Sequence, residues 1–78
     1  MEPRDVEADL RKLVAENLDV ELDSVDLDAA VEEVANSLEL SALFYAVEKH
    51  FDVVFADSDI GRLRVFRDLV TLVREARS

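Results

Sequence analysis

The sequence predicts an all-α fold, a small four-helix bundle of three longer helices and one short one, with a long first loop. Three observations carry this. Apolar residues recur at helical spacing in three separate stretches. The 78 residues include one glycine and one proline, so there are few of the turns that β-hairpins need. Few stretches alternate as strands do. The length sets a single domain, 1–78, with a modest core. There is no cysteine, hence no disulfide, no thiolate metal site and no thiol nucleophile. Such a fold depends on packing alone.

The first helix is expected from about Pro3 or Asp5 to Leu18. Pro3 suits a first turn, and Asp5, Glu7 and Asp9 complement the positive helix end. Val6, Leu10, Leu13, Val14 and Leu18 then share one apolar face. Residues 19–36 read as a long loop pinned by Val20, Leu22, Val25, Leu27, Val31 and Val34. The alternation over 19–22 is too short and too unpartnered to be a strand. A loop of this length is uncommon in a compact domain and is often functional.

The second helix opens at Asn36 or Ser37 and continues to about Phe51. Asn36 is a strong N-cap, and Glu39 three residues on completes a capping-box pattern. Leu38, Ala42, Leu43, Ala46, Val47 and Phe51 keep the helical period. Leu40, Phe44 and Tyr45 widen the apolar arc beyond what a small bundle requires. One of Phe44 and Tyr45 must face outward, and the Tyr45 hydroxyl tolerates water better. Residues 52–56 form an extended apolar connector. Asp57 is placed to cap a short third helix, about Ser58 to Leu63, which Gly61 weakens. The last helix runs from Phe66 to about Ala76. It buries Phe66, Leu69, Val70 and Val73, with Arg74 and Arg77 suited to its C-terminal end.

The formal net charge is −10, and no lysine or arginine occurs between Lys12 and Lys49. A field of this sign repels nucleic acid and anionic membrane and steers basic protein surfaces inward. A merely solubilising surface would look the same. The N-terminus lacks an apolar targeting region and no stretch is long enough to span a bilayer, so a soluble cytoplasmic protein is expected. The acids at Asp23, Asp26 and Asp28 lack the central glycine of a calcium loop. His50 has no second histidine with which to hold a metal. With one imidazole and no thiol, no nucleophile and base pair can be assembled, and an enzyme is not expected.

Ser37 stands at a helix start, beside unpaired backbone N–H groups that can hold a phosphodiester. From it the chain continues through Leu38, Leu43, Ala46-Val47-Glu48 and Phe51-Asp52-Val53, then Asp59, Leu63 and Asp68-Leu69. Upstream lie Val14 to Leu18, Val20 and Val25. This register resembles the acyl carrier protein family, whose signature is Asp-Ser-Leu followed at fixed spacing by Leu, Ala-Leu-Glu and Phe-Asp-Ile. The resemblance spans nearly the whole chain.

It implies that Ser37, flanked by Asn36 and Leu38, receives a 4′-phosphopantetheine arm from coenzyme A. A phosphopantetheinyl transferase and its magnesium ion would do the chemistry. Acyl groups would then be held as thioesters for fatty-acid, polyketide or related natural-product biosynthesis. The resemblance further implies a docking face at Glu39, Ser41, Tyr45 and Glu48, met by basic surfaces of acyl-transferring or ketosynthase-type enzymes. Leu43, Val47, Leu63 and Leu69 would border an acyl pocket. The carrier would act as a monomer, with neither nucleic acid nor membrane as partner.

The sequence departs from the family at several positions. Asn36 replaces the aspartate before the serine, and the approach is shortened to Val34-Ala35-Asn36-Ser37. Val65 stands where a threonine commonly opens the last helix, and Ala42 and Lys49 occupy positions that are often acidic. These departures describe a divergent, discrete carrier with a restricted set of partners. Two other readings stay open: a stand-alone peptidyl carrier, and an unmodified carrier fold serving as a protein-interaction module.

Overall fold

Asp5 starts the first helix. Its carboxylate accepts the N–H of Ala8 at 3.2 Å, and α1 then runs Val6–Leu18. The structure, a computed structural model, describes residues 5–77 and the side chains of 5–76, so Pro3 and the Arg77 side chain lie outside the account. Two further long helices follow, α3 at Ser37–Phe51 and α5 at Arg67–Arg77. Two short helices separate the long ones, α2 at Val31–Val34 ahead of α3 and α4 at Asp57–Gly61 ahead of α5. The all-α class and the four-helix plan therefore hold, with α2 as an extra single turn inside the first loop.

α1 and α3 end alike. Asp19 and Asp52 follow them in the left-handed conformation, with φ of 56° and 58°. Glycine is the usual residue there, but aspartate is among the side chains that tolerate it.

The first loop is more ordered than its sequence suggests. A 3₁₀ turn at Leu22–Ser24 ends the short alternation. The chain beyond it is stitched to the connector before α5. Val31 N–H donates to Arg64 O at 3.0 Å, Phe66 N–H to Ala29 O at 3.3 Å and Arg67 N–H to Leu27 O at 2.7 Å. Ala30 and Val65 form an isolated antiparallel bridge. Arg67 adds side-chain contacts, with Nε 2.8 Å from Asp28 Oδ1 and Nη1 2.9 Å from Glu7 Oε1. Arg11 Nη1 reaches Val25 O at 3.0 Å.

Of the six apolar pins expected in this loop, Val25, Leu27 and Val31 are buried, whereas Val20, Leu22 and Val34 are exposed. The 3₁₀ turn is the reason. It separates Val20 and Leu22 from the segment that pairs with the α5 approach, and only residues on the inner side of that segment face the core.

α4 corrects the sequence expectation in two ways. It covers Asp57–Gly61 rather than about 58–63, and Asp57 does not cap it. Instead the carboxylate of Asp59 turns back to accept the Ala56 N–H at 3.3 Å. Phe66 is buried just ahead of α5. The missing threonine cap at Val65 is offset by Asp68, whose Oδ2 accepts N–H groups from Arg64 and Val65 at 2.9 and 3.1 Å.

α1 packs against both α3 and α5. Leu10 of α1, Leu27 of the first loop, Leu43 and Val47 of α3, Leu69 and Val73 of α5, and Phe66 are the most deeply buried side chains of this core. At its edge, His50 Nε2 lies 3.4 Å from Asp9 Oδ2, linking the end of α3 to α1. No helix among the described residues is long and apolar enough to cross a membrane.

Candidate functional site

The approach to α3 is fixed on both sides. Ala35 is extended, with φ of −136° and ψ of 147°, and its side chain is buried, which brings Asn36 and Ser37 to the surface. Asn36 then caps the helix. Its Oδ1 accepts the Glu39 N–H at 2.8 Å, while Glu39 Oε1 accepts the Asn36 N–H at 3.0 Å. The capping box read from the sequence is therefore present. The neutral amide supplies the same acceptor that an aspartate would.

Ser37 is the first residue of α3 and is exposed. The box occupies the N–H groups of Asn36 and Glu39. It leaves those of Ser37 and Leu38 without an acceptor among the described residues. The Ser37 hydroxyl is equally uncommitted. A tetrahedral anion attached there would meet two free backbone donors at the positive end of a four-turn helix. Glu39, the nearest acid in sequence, has its carboxylate folded back onto Asn36.

Among the described residues, none hydrogen-bonds to this hydroxyl to activate it. The imidazole of His50 is at the opposite end of α3, about 20 Å away at helical rise. No group of three or more acids or histidines among the described residues could hold a metal ion.

The four residues assigned to docking divide into two pairs. Ser41 and Tyr45 lie one turn apart on the outer face of α3, both exposed, with Tyr45 at 62%. Leu38, 82% exposed, continues the same stripe back toward Ser37. Lys49 carries it forward, its Nζ 5.3 Å from the centre of the Tyr45 ring. Glu39 and Glu48 are instead engaged within the protein. Glu39 belongs to the cap, and Glu48 Oε2 accepts the Phe55 N–H at 2.8 Å, tethering the connector to α3. No spacing rule reveals that second bond, because the connector folds back through a left-handed Asp52.

Leu43, Val47, Leu63 and Leu69 are all buried. Leu63 also borders a cleft of about 210 Å³ that Asp59, Arg62 and Asp68 make polar. Leu43, Val47 and Leu69 are closed over completely. Phe44 packs against the core and Tyr45 faces outward, as the sequence indicates.

No family model matches the sequence. Curated relatives do. The chain is 36% identical over 67 residues to the acyl carrier protein of Campylobacter lari, covering 83% of this chain and 87% of that protein. It is 33% identical over 67 residues to the acyl carrier protein of Campylobacter jejuni subsp. doylei, with the same coverage. Over 74 residues it is 36% identical to acyl carrier protein 2 of Pseudomonas aeruginosa, covering 92% of this chain and 94% of that one.

Proposed function

The chain belongs to the acyl carrier protein family, and from that premise we propose that it carries a 4′-phosphopantetheine arm on Ser37. It is a carrier and not an enzyme. The observation that carries the proposal is the state of Ser37: exposed at the first position of α3, with its hydroxyl and the two neighbouring N–H groups uncommitted.

In the loading step the Ser37 oxygen forms a bond to the phosphorus that bears the pantetheine of coenzyme A. The bond from that phosphorus to the adenosine bisphosphate breaks, and the hydroxyl proton passes to the transferase. The new phosphodiester keeps one negative charge, which the Ser37 and Leu38 N–H groups stabilise. The arm supplies a thiol on which acyl groups are held as thioesters. Leu38, Ser41 and Tyr45 form the patch that a phosphopantetheinyl transferase and acyl-transferring or ketosynthase-type enzymes meet. Glu39, Glu48 and the other acids supply the field that attracts the partners' basic surfaces. Residues 1–78 act as one monomeric carrier domain in fatty-acid, polyketide or related natural-product synthesis.

Intact mass before and after incubation with coenzyme A, magnesium and a broad-specificity transferase tests this. The parent should gain one phosphopantetheine and Ser37→Ala should gain none. A folded parent that gains nothing with several transferases would instead be a protein-interaction module.

A further inference from the structure

Leu38, then Ser41 and Ala42, then Tyr45, then Lys49 succeed one another turn by turn along α3, and all are exposed. None is acidic, in a chain whose formal net charge is −10. The acids of the helix are engaged inside the protein, Glu39 on the N–H of Asn36 and Glu48 on that of Phe55. Lys49 is the one lysine or arginine of α3. Its Nζ stands 5.3 Å from the centre of the exposed Tyr45 ring, and no carboxylate among the described residues pairs with it. A lysine in the last turn favours the helix dipole wherever its side chain lies. The ring holds this one along the outward face. His50 beside it is turned instead to Asp9, at 3.4 Å. On the carrier reading above, on which this inference rests, we propose that Lys49 selects partners: the enzyme that takes Ser37 presents a carboxylate to Lys49 and an apolar strip to Leu38 and Tyr45.

Charge complementarity names the occupant. A basic surface laid over this stripe would meet an ammonium with no counter-ion, and like charges brought together at an interface are disfavoured. A carboxylate there gains the pairing that the chain itself does not supply. The Tyr45 ring already covers one side of the ammonium, so less water has to leave when the pair forms. Distance is consistent with one footprint. Lys49 lies about 18 Å along the helix from Ser37. An interface of about 800 Å² per partner is about 30 Å across, and so includes both. The overall acidity acts at a different range. It steers basic surfaces toward the molecule from afar. Lys49 acts at contact, inside the Debye length of about 8 Å at physiological salt, where the fit of individual charges decides which encounters persist.

The test takes a broad-specificity phosphopantetheinyl transferase as the partner, with Ser37→Ala in the carrier so that binding is read without chemistry. A photo-crosslinking residue in place of Ser41 or, separately, of Lys49 identifies the transferase residue that faces each position. The one facing position 49 is then made glutamate or lysine, and each form is titrated with carriers bearing Lys49 or Lys49→Glu. Lys49 is exposed, so the exchange leaves the core intact. With Lys49, the glutamate form should bind about fivefold more tightly than the lysine form, the sum of one exposed attraction gained and one repulsion avoided. Lys49→Glu should invert that order, and both differences should close at high salt. Crosslinks from position 41 with none from position 49, or affinities indifferent to the four combinations, overturn the proposal. The mass gained on Ser37 of the parent is read separately. Loading without a crosslink at position 49 leaves the carrier reading standing and removes this one. Crosslinks and charge preference as expected, without loading, would count against the carrier reading alone.

Discussion

Asn36 and Glu39 exchange hydrogen bonds across the first turn of α3, each side chain accepting the other's backbone N–H at 2.8 and 3.0 Å. The pair fixes the backbone on both sides of Ser37 and leaves the serine itself uncommitted. Asn36→Ala removes the acceptor for Glu39 and should lower unfolding stability by about 1 kcal/mol in urea titrations. Asn36→Asp keeps the acceptor, adds charge at the positive helix end, and should match or exceed the parent. An alanine variant as stable as the parent would show that the cap does not organise this turn.

Leu38 is the most exposed apolar side chain next to the serine, and its exposure separates docking from folding. Leu38→Ala should leave stability within about 0.5 kcal/mol of the parent. It should slow phosphopantetheine transfer about tenfold, the effect of losing one good anchor at an interface. Leu43→Ala, in the closed core, should cost about 2–5 kcal/mol in stability. If Leu38→Ala is loaded at the parental rate, the transferase does not use this stripe.

Glu48 discriminates between charge and tether. Its bond to the Phe55 N–H is charge-assisted and partly buried, so Glu48→Ala should destabilise the protein by about 1.5–3 kcal/mol. Glu48→Gln retains a carbonyl acceptor and should lose less than half of that. Were both variants as stable as the parent and equally poor in partner binding, the carboxylate would be a docking group and not a tether.

The long helices were legible because their apolar faces follow one period over many residues. The start of α3 was legible because Asn36 and Glu39 form a local pattern that needs no partner. The ordering of the first loop was not. Val31, Ala29 and Leu27 find their backbone partners at Arg64, Phe66 and Arg67, more than thirty positions away, and no local rule links them. The same is true of Asp68, which replaces a missing cap by accepting two N–H groups from the preceding residues. The place of Ser37 at the opening of α3 and the outward Tyr45 could be read from register and amphipathicity. Glu39 and Glu48, which the resemblance assigns to docking, accept hydrogen bonds within the protein, and only the folded backbone shows those contacts.

Asp28 offers a pH-dependent probe of that loop. Arg67 holds the Asp28 carboxyl below its ordinary value of 3.8, first through their hydrogen bond and then through its charge. Asp28 in turn raises Arg67. A lowered folded pKa gives stability that is complete above the unfolded value and is lost as pH falls through the folded one. The raised Arg67 value gives stability that is lost only in strong base. The pair is exposed, so the effect is small and weakened by salt. Asp28→Asn should therefore lower the urea midpoint at neutral pH, and its difference from the parent should close as pH is taken below 3.8. A difference that persists there would mean that Asp28 acts through the loop backbone and not through its charge.

Gly61 ends α4 with a backbone that does not require glycine. Its φ is not positive, and nothing lies within 4 Å of the point where a Cβ would be placed. Glycine in a helix is less favourable than alanine by about 0.5–1 kcal/mol, partly because it leaves the unfolded chain more freedom. α4 has five residues, far too few to persist without tertiary support, so this difference bears directly on how often it opens. Gly61→Ala should raise global stability by about 0.5 kcal/mol, since the residue stands at the helix end. Amide exchange in α4 should slow by a comparable factor, with α1 and α3 changed only through the global term. If a partner engages α4 in its native form, loading should be unchanged or faster in this variant. Slower loading with the expected gain in stability would show instead that α4 must open during the encounter, and that the glycine is there to permit it.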